Sequence, residues 1–398
     1  MHNDILDKLT DYPFDRLREL LFDIDPPANT PPVYMQIGEP KHSAPDFIKN
    51  ILIENMEDWG KYPPPNGTDG LRLAISNWLT NRYKLPEDLI DPEQNIAVVS
   101  GTREALFMAA LLAVPEKKMG SKPLVLMPNP FYQVYIGAAA IARSKIILLS
   151  AGPETGFQPD FSAIEPNILE RTALAYINSP ANPQGSIADI DFLVHAAELA
   201  QKYDFVLAID ECYSEIYTKS APPGGLSACR ELANNCRNIL VFHSLSKRSN
   251  VPGLRSGFVA GDPNLIKKFL RLRQYGGAQI PLPIMRASEA LWKDEEHVEK
   301  SRDLYREKFD FALETLNGDL GANRPGGGFY LWLNVGDGAN AAKKLWKESG
   351  VRVLPGEFLA KEDANGSNPG KQFIRVALVH DLKTTRNAIT QIHETLIK

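Results

Sequence analysis

The sequence predicts an α/β protein whose central sheet is buried, mostly parallel and seven-stranded. Short apolar runs recur through the middle of the chain, for example "NIAVVS", "TALAYIN" and "NILVFHS". Longer segments of helical period, such as "REALFMAALLAV", lie between most of them. Because the runs are apolar at nearly every position, we expect helices to cover both faces of the sheet.

The predicted strands of this sheet are, in chain order, "NIAVVS", "PLVLMP", "KIILLS", "TALAYIN", "FVLAID", "NILVFHS" and "SGFVAG". After them the pattern changes to a long charged helix, "EEHVEKSRDLYREKFDFALETL", and then to the strands "GGFYLWLNV", "VRVLP" and "FIRVALV". We therefore expect a large α/β domain over residues 46–285. Residues 1–45 together with 286–398 should form a smaller α+β domain.

Composition and charge argue against several classes of protein. The chain has 398 residues, 43% of them hydrophobic, and a net charge of −5, so no overall positive field favours nucleic acid or anionic lipid. The N-terminus lacks the apolar segment of a secretory signal, and the apolar run at 105–114 is about half of a membrane span. We expect a cytoplasmic protein. Three cysteines without the close spacing of a zinc site indicate reduced thiols and no metal: Cys212, Cys229 and Cys236.

Polar residues that directly follow the apolar runs are candidates for a binding site, because ligands of open α/β sheets bind beyond the carboxyl ends of the strands. Gly101 and Thr102 follow the first run and open a helix, whose free N–H groups and dipole favour an anion. Such a residue also commonly serves only as a helix N-cap. The glycine-rich motifs that bind dinucleotides or nucleoside triphosphates do not occur.

Asp210 closes one apolar strand, and Lys247 follows another within "SLSK". A buried aspartate needs a cationic or hydrogen-bonding partner, although a helix-capping role stays equally open. A lysine at the floor of a cleft loses solvation and becomes a nucleophile, whereas an isolated lysine is usually a surface charge. Together with an anion site and Arg255, these residues indicate pyridoxal phosphate. Its aldehyde, ring nitrogen and phosphate require a lysine, a carboxylate and a helix end with an arginine.

Longer motifs strengthen this interpretation. "NSPANPQG", "AIDECYSEIY" and "SLSKRSNVPGLRSGF", in this order and spacing, resemble the class I/II pyridoxal-phosphate-dependent aminotransferases of fold type I, the aspartate aminotransferase fold. More narrowly, "IGEPKH", "GTREALF" and "PNPFYQVY" resemble the proteobacterial succinyldiaminopimelate aminotransferases of lysine biosynthesis. The resemblance implies amino-acid and 2-oxo-acid substrates and a homodimer with shared active sites.

The resemblance also implies roles for single residues. Lys247 would bond covalently to the cofactor and move the substrate Cα proton, and Asp210 would keep the cofactor ring nitrogen protonated. Asn182 and Tyr213 would donate hydrogen bonds to the ring oxygen. Arg375 would bind the substrate α-carboxylate through two parallel hydrogen bonds, with Asn182 and Gly38 beside it. Phosphate binding would fall to Gly101, Thr102, Arg103, Ser244, Ser246 and Arg255, with Tyr62 from the other subunit.

Some assignments stay open at this point. Tyr132 matches the aromatic residue that stacks on the cofactor ring, but the neighbouring Phe131 is an alternative. Gln184 stands where many relatives have threonine, which leaves the role of Asn182 intact. Position 103 varies among relatives, so the role of Arg103 in phosphate or substrate binding is open.

Other functions share this fold. A β-lyase, a decarboxylase or an aminotransferase for alanine, aspartate or aromatic amino acids would keep the same lysine. A regulatory sensor would need a DNA-binding module, for which the residues before the large domain are too few and too acidic. The narrower resemblance implies N-succinyl-LL-2,6-diaminopimelate as donor and 2-oxoglutarate as acceptor. Groups for the additional carboxylates would be Arg103, Arg248 and Lys61, each of which could equally be a solvated charge.

Overall fold

A computed structural model describes residues 2–9, 11–363 and 366–397. The strands are β1 (Val33–Tyr34), β2 (Ile96–Val99), β3 (Leu124–Asn129), β4 (Lys145–Ser150), β5 (Thr172–Asn178), β6 (Val206–Asp210), β7 (Ile239–Ser244), β8 (Gly257–Gly261), β9 (Tyr330–Asn334), β10 (Val351–Arg352), β11 (Leu354–Pro355) and β12 (Phe373–Ala377). They form three separate sheets.

The α-helices are α1 (Pro13–Leu20), α2 (Phe47–Glu54), α3 (Asp69–Tyr83), α4 (Thr102–Ala113), α5 (Gln133–Ile141), α6 (Pro166–Arg171), α7 (Ile190–Lys202), α8 (Gly225–Glu231), α9 (Leu245–Arg248), α10 (Pro263–Tyr275), α11 (Leu282–Lys293), α12 (Glu296–Leu316), α13 (Gly338–Ser349) and α14 (Leu382–Ile397). Short 3₁₀ helices cover Asp4–Lys8, Met56–Gly60, Pro153–Thr155, Pro252–Leu254, Asp319–Gly321 and Gly356–Leu359. Within the described ranges, no helix is both long and apolar enough to cross a membrane.

The largest sheet has seven strands in the order β2-β8-β7-β6-β5-β3-β4. Strand β8 runs antiparallel to both of its neighbours, β2 and β7, and every other pair of neighbouring strands in this sheet is parallel. Each of the seven apolar runs forms one of its strands, so the prediction of a mostly parallel seven-stranded sheet is confirmed. The register places Asp210 of β6 between Asn178 of β5 and Phe242 of β7.

Two hydrophobic cores cover the two faces of this sheet. Alternate residues of a strand point to opposite faces, and β6 follows this pattern: Leu207 and Ile209 enter one core, and Val206 and Ala208 enter the other. The first core is completed by α3, α7, α8 and α11, and the second by α4, α5 and α10. Helices on both faces explain why the strands are apolar at nearly every position.

The three-stranded antiparallel sheet, in the order β11-β12-β9, packs with α12, α13 and α14 around a third core. Strand β1 pairs with β10 in a two-stranded parallel sheet, which joins residues near the N-terminus to the C-terminal part of the chain. Helix α11 packs instead within the first core of the large sheet. The domain boundaries expected at residues 46 and 285 stay a prediction.

Candidate active site

A cavity of about 510 Å³ lies at the carboxyl ends of the parallel strands. Residues from β9, β11 and β12 close its other side, so two sheets contribute to one site. The predicted site residues that line it are Gly38, Thr102, Arg103, Tyr132, Asn182, Asp210, Tyr213, Ser244, Ser246, Lys247, Arg255 and Arg375. Gly101 lies directly behind this lining, and Tyr62 is fully exposed outside it.

Lys247 reaches the cavity from α9, which begins where β7 ends. The Ser244 hydroxyl caps this short helix by accepting a hydrogen bond from a backbone N–H of its first turn. The Lys247 Nζ donates a hydrogen bond to the Gly38 carbonyl oxygen at 2.5 Å. Burial lowers the pKa of Lys247 to about 8, and the nearby Arg375 and Arg103 guanidiniums add to this shift. A neutral, nucleophilic amine is therefore accessible close to neutral pH.

Asp210 ends β6 at the floor of the cavity with only neutral hydrogen-bond donors. The Tyr135 hydroxyl donates to its Oδ2 at 2.7 Å, and the Cys212 backbone N–H donates to its Oδ1 at 3.2 Å. Burial raises the pKa of Asp210, while the hydrogen bonds from Cys212 and Tyr135 oppose that rise. In the part of the chain that the structure describes, no cationic side chain forms an ion pair with this carboxylate. A ligand cation would supply the missing charge.

Arg375 lies on β12 with its guanidinium buried beside the cavity. Its Nη1 donates to Asn182 Oδ1 at 2.9 Å, and its Nη2 donates to the Gln36 carbonyl oxygen at 2.7 Å. The guanidinium carbon lies 4.4 Å from the centre of the Tyr330 ring. Guanidinium has five N–H donors, and the Nε of Arg375 has no partner among the described residues. The remaining donors suit a substrate carboxylate.

Tyr213 and Asn182 each contact a residue that the sequence did not single out, Tyr330 and Asn178 respectively. The Tyr213 hydroxyl lies 3.1 Å from the Tyr330 hydroxyl, and burial raises the pKa of Tyr213 well above its usual range. Asn178 Oδ1 accepts from the Asn182 backbone N–H at 2.7 Å, and Asn178 Nδ2 donates to the Asp210 carbonyl oxygen at 2.8 Å. Asn178 thereby ties the loop of Asn182 to the end of the neighbouring strand.

The start of α4 and a neighbouring arginine form an anion-binding corner, which consists of Gly101, Thr102 and Arg255. Gly101 precedes this helix with φ +95°, a conformation that favours glycine, and a Cβ there would overlap the Arg255 guanidinium. Arg255 Nη2 lies 3.3 Å from the Ser100 carbonyl oxygen, and Thr102 is the first residue of the helix. Free backbone N–H groups, the helix dipole and an arginine therefore converge at one point.

Of the two aromatic residues considered for ring stacking, Tyr132 lines the cavity and Phe131 is buried in the second core. The Tyr132 hydroxyl accepts a hydrogen bond from Arg103 Nε at 3.2 Å. The position of the two rings favours Tyr132 for stacking on a cofactor.

Two basic residues expected near the cleft lie elsewhere. The Arg248 side chain is 2% exposed, donates to the Leu291 carbonyl oxygen at 2.6 Å and forms an ion pair with Glu295. Lys61 is exposed and forms an ion pair with Asp58 at 2.7 Å. Neither lines the cavity of its own chain, so the expectation that Arg248 lies near the cleft is wrong. Further residues that line the cavity without having been expected include Tyr12, Phe14, Asn178, Cys212 and Tyr330.

The donor set fits pyridoxal phosphate. The lysine of lowered pKa suits the cofactor aldehyde, the buried carboxylate without a cation suits a protonated ring nitrogen, and the helix end beside Arg255 suits the phosphate. Fold and site together define an enzyme that depends on this cofactor.

The chain belongs to the family described as "Aminotransferase class I and II", whose profile matches residues 31–392. It is therefore a pyridoxal-phosphate-dependent aminotransferase of the aspartate aminotransferase fold. The crystal structure of an aminotransferase from Neisseria meningitidis Z2491 is similar, with a TM-score of 0.93, 41% identity, and coverage of 99% of this chain and 100% of that one.

Two curated relatives differ in the substrates that their names state. The chain is 29% identical over 347 residues to the 4-dedimethylamino-4-oxo-anhydrotetracycline transaminase OxyQ of Streptomyces rimosus, covering 87% of this chain and 88% of that protein. It is 28% identical over 371 residues to the LL-diaminopimelate aminotransferase of Halothermothrix orenii, covering 91% of this chain and 90% of that protein. The family thus defines the reaction but leaves the amino donor open.

Proposed function

We propose that the enzyme is an N-succinyl-LL-2,6-diaminopimelate:2-oxoglutarate aminotransferase of lysine biosynthesis. The observation that carries this proposal is Arg103, whose guanidinium lines the same cavity as those of Arg375 and Arg255. Its Nε binds Tyr132, whereas its Nη1 and Nη2 form no hydrogen bond with any described residue. A free pair of terminal nitrogens suits a carboxylate beyond the one that Arg375 binds.

The chemistry of the two substrates agrees with this arrangement. Both 2-oxoglutarate and the succinylated donor carry a carboxylate distant from the reacting carbon, and alanine carries none. The relative from Halothermothrix orenii supports a diaminopimelate-type donor, and the motifs "IGEPKH" and "PNPFYQVY" support the succinylated form. A site built to pair a distant anion rejects substrates that lack it, because its own charge would stay unpaired.

Within the site, each side chain has a defined task. Bound pyridoxal phosphate supplies an electron sink for the reaction at the substrate Cα. The Lys247 Nζ would take the proton from the substrate Cα and deliver it to the C4′ carbon of the cofactor, because the amine is accessible in its neutral form. The Asp210 carboxylate would hold a proton on the ring nitrogen, and Asn182 and Tyr213 would donate to the ring oxygen. Arg375, with Asn182 and the Gly38 backbone, orients the substrate α-carboxylate.

The anion-binding corner and the aromatic residue complete the cofactor site. Tyr132 would stack on the ring, and the phosphate would be held by Gly101, Thr102, Ser244, Ser246 and Arg255. Tyr62 is 102% exposed, and we assign it to the phosphate site of a second subunit in a homodimer. Sedimentation velocity should give twice the monomer mass, and Tyr62→Phe should raise the cofactor dissociation constant. A monomeric active enzyme would contradict both assignments.

The substrate assignment is tested with a panel of amino donors against 2-oxoglutarate. N-succinyl-LL-2,6-diaminopimelate, LL-2,6-diaminopimelate, aspartate and alanine are compared by kcat/KM. We expect the succinylated donor to exceed alanine by about 10²-fold or more, which corresponds to one or two lost polar contacts. Equal efficiency, or a preference for unsuccinylated diaminopimelate, would overturn the assignment and leave the aminotransferase activity unaffected.

The role of Arg103 is tested with Arg103→Gln. This change should lower kcat/KM for donors with a distal carboxylate by about 10-fold or more and leave the value for alanine within about 2-fold. Arg271→Gln, an exposed arginine on α10, is the matched control and should leave all donors unchanged. An equal loss for alanine and the succinylated donor would assign Arg103 to the cofactor or to the fold.

A further inference from the structure

Tyr330 lies on β9 and is 3% exposed, yet it lines the active-site cavity. Its ring centre lies 4.4 Å from the guanidinium carbon of Arg375. Its hydroxyl lies 3.1 Å from the Tyr213 hydroxyl. A Cβ at position 38 would overlap that same hydroxyl, so Gly38 leaves the space that the hydroxyl fills. One side chain therefore touches three separate groups of the site.

We propose that Tyr330 is a positioning residue that fixes Arg375 through its ring and Tyr213 through its hydroxyl. The inference rests on the proposed roles of these two residues: Arg375 binds the substrate carboxylate, and Tyr213 binds the cofactor ring oxygen. The two halves of one side chain thereby align the substrate with the cofactor.

The Tyr330 ring contacts the Arg375 guanidinium separately from the two hydrogen bonds that the guanidinium donates. Two terminal nitrogens of the guanidinium bond to Asn182 and to the Gln36 carbonyl oxygen. The aromatic ring attracts the cation, and this attraction is strongest where both groups are removed from water. Arg375 is 4% exposed, so its contact with Tyr330 meets this condition. Without the Tyr330 ring, the planar guanidinium of Arg375 would lose one of the contacts that set its orientation.

The hydroxyl of Tyr330 sets the direction in which Tyr213 donates. Each tyrosine hydroxyl has a single hydrogen, so while the two hydroxyls stay hydrogen-bonded, Tyr213 can donate to the cofactor ring oxygen only if Tyr330 donates to Tyr213. Hydrogen bonds in such a chain polarise one another, and the donation from Tyr213 becomes stronger. A stronger donor stabilises the anionic ring oxygen, which lowers the pH at which the bound cofactor loses its proton.

Gly38 connects this arrangement to Lys247. The Gly38 carbonyl oxygen accepts from the Lys247 Nζ, and the Gly38 Cα faces the Tyr330 hydroxyl. Gln36 thus contacts Arg375, and Gly38 contacts both Tyr330 and Lys247. Tyr330 lies at the centre of these contacts, on a strand from the opposite side of the cavity.

Two variants separate the ring from the hydroxyl. Tyr330→Phe keeps the ring and removes the hydroxyl, and Tyr330→Leu removes both. Tyr305→Phe is the matched control, because its buried hydroxyl belongs to the same hydrophobic cluster and has no hydrogen-bond partner among the described residues. The readouts are the midpoint of the pH titration of the bound-cofactor absorbance, the KM for 2-oxoglutarate, and the thermal midpoint as a measure of folding.

The expected pattern distinguishes the two roles. Tyr330→Phe should move the absorbance midpoint upward by about 0.3 pH unit or more and leave the KM within about 2-fold. Tyr330→Leu should move the midpoint similarly and also raise the KM by about 5- to 30-fold, the loss of a buried cation–π contact. Tyr305→Phe should leave both values unchanged.

Comparing Tyr213→Phe with Tyr330→Phe tests the role of Tyr330 separately from the proposed role of Tyr213. Tyr213→Phe should move the absorbance midpoint further upward than Tyr330→Phe does. If Tyr213→Phe shifts the midpoint and Tyr330→Phe does not, the inference about Tyr330 is wrong and the role of Tyr213 stands. If neither variant shifts it, the role of Tyr213 is wrong as well. An unchanged KM in a folded Tyr330→Leu enzyme would overturn the role of the ring.

Discussion

The Tyr135 hydroxyl lies 2.7 Å from Oδ2 of Asp210, and both side chains are buried at the floor of the active-site cavity. The Tyr135 ring is itself stacked on Tyr176, with ring centres 4.4 Å apart. Because Tyr135 and the Cys212 N–H are neutral donors, they hold the carboxylate in place without neutralising its charge. The negative charge of Asp210 remains for a cation that enters from the cavity.

Asp210→Asn should keep the fold and lower the rate of Cα deprotonation by at least about 10²-fold, since a neutral amide cannot hold the ring proton. Stopped-flow absorbance of a single half-reaction measures this rate, and circular dichroism checks the fold. Asp189→Asn is the control, because Asp189 caps α7 away from the cavity and an asparagine can still accept its hydrogen bond. A parental rate in Asp210→Asn would make this carboxylate purely structural.

Lys247→Ala should abolish transamination, with a loss of at least about 10³-fold, because the covalent attachment and the proton transfer disappear together. Borohydride reduction followed by mass spectrometry gives an independent readout. The parent should gain the mass of the cofactor, and the variant should not. A variant with more than a tenth of the parental rate would refute the assignment of Lys247.

Arg375→Lys should raise the KM for 2-oxoglutarate by about 10- to 100-fold and leave cofactor affinity within a few-fold. A lysine can reach one of the acceptors, Asn182 Oδ1 or the Gln36 carbonyl oxygen, but it lacks the planar fork that binds a carboxylate through two bonds. Steady-state kinetics and a fluorescence titration of the apoenzyme with cofactor measure the two effects. Comparable damage to cofactor binding would mean that Arg375 lies at the cofactor and not at the substrate.

The sequence was most informative where one local pattern determines the structure. Every strand of the large sheet except β4 is buried on both faces, so a nearly uninterrupted apolar run marks it, and the polar residue after the run marks the edge of the site. Asp210 and the segment "SLSK", which contains Ser244 and Lys247, were found in this way. Gly101 was found because a helix begins there after a strand.

Sequence patterns gave a wrong prediction, or none, where the direction of a side chain or its contact with a distant strand determines which residues form the site. Arg248 is next to Lys247, but consecutive residues of a helix point in different directions, and Arg248 points towards Trp78 and Trp292 in the first core. Tyr330 is 117 residues from Tyr213 and meets it only through the packing of one sheet against another. No local pattern encodes such a contact.

A buried lysine outside the active site, Lys308, should make the stability of the protein depend on pH. Lys308 on α12 is 2% exposed, and its Nζ lies 2.6 Å from His42 Nε2 and 3.3 Å from the Leu378 carbonyl oxygen. Burial lowers the pKa of Lys308 to about 8, against the opposing effect of the Asp381 carboxylate. Burial also lowers the pKa of His42 to about 4, so His42 is a neutral acceptor at neutral pH.

The sign of the pH dependence follows from these values. The pKa of Lys308 is about 8 in the folded protein and near 10.5 in the unfolded chain, so the unfolded chain binds more protons between these pH values. The free energy of unfolding contributed by Lys308 therefore rises with pH from about 8 to about 10. Lys308→Met should reduce the slope of the free energy of unfolding against pH by up to about 1.4 kcal/mol per pH unit. Urea unfolding of the apoenzyme at pH 7.5, 8.5 and 9.5 measures it.

Lys300→Met, on the exposed face of the same helix, is the matched control for this measurement. Lys300 pairs with Glu296 on the surface, and its hydrogen bond to that residue raises its pKa, so it titrates above the tested window. This variant should keep the parental slope. If Lys308→Met keeps the parental slope too, then Lys308 is charged throughout the window in the folded protein, and water or a rearranged carboxylate solvates it despite its burial.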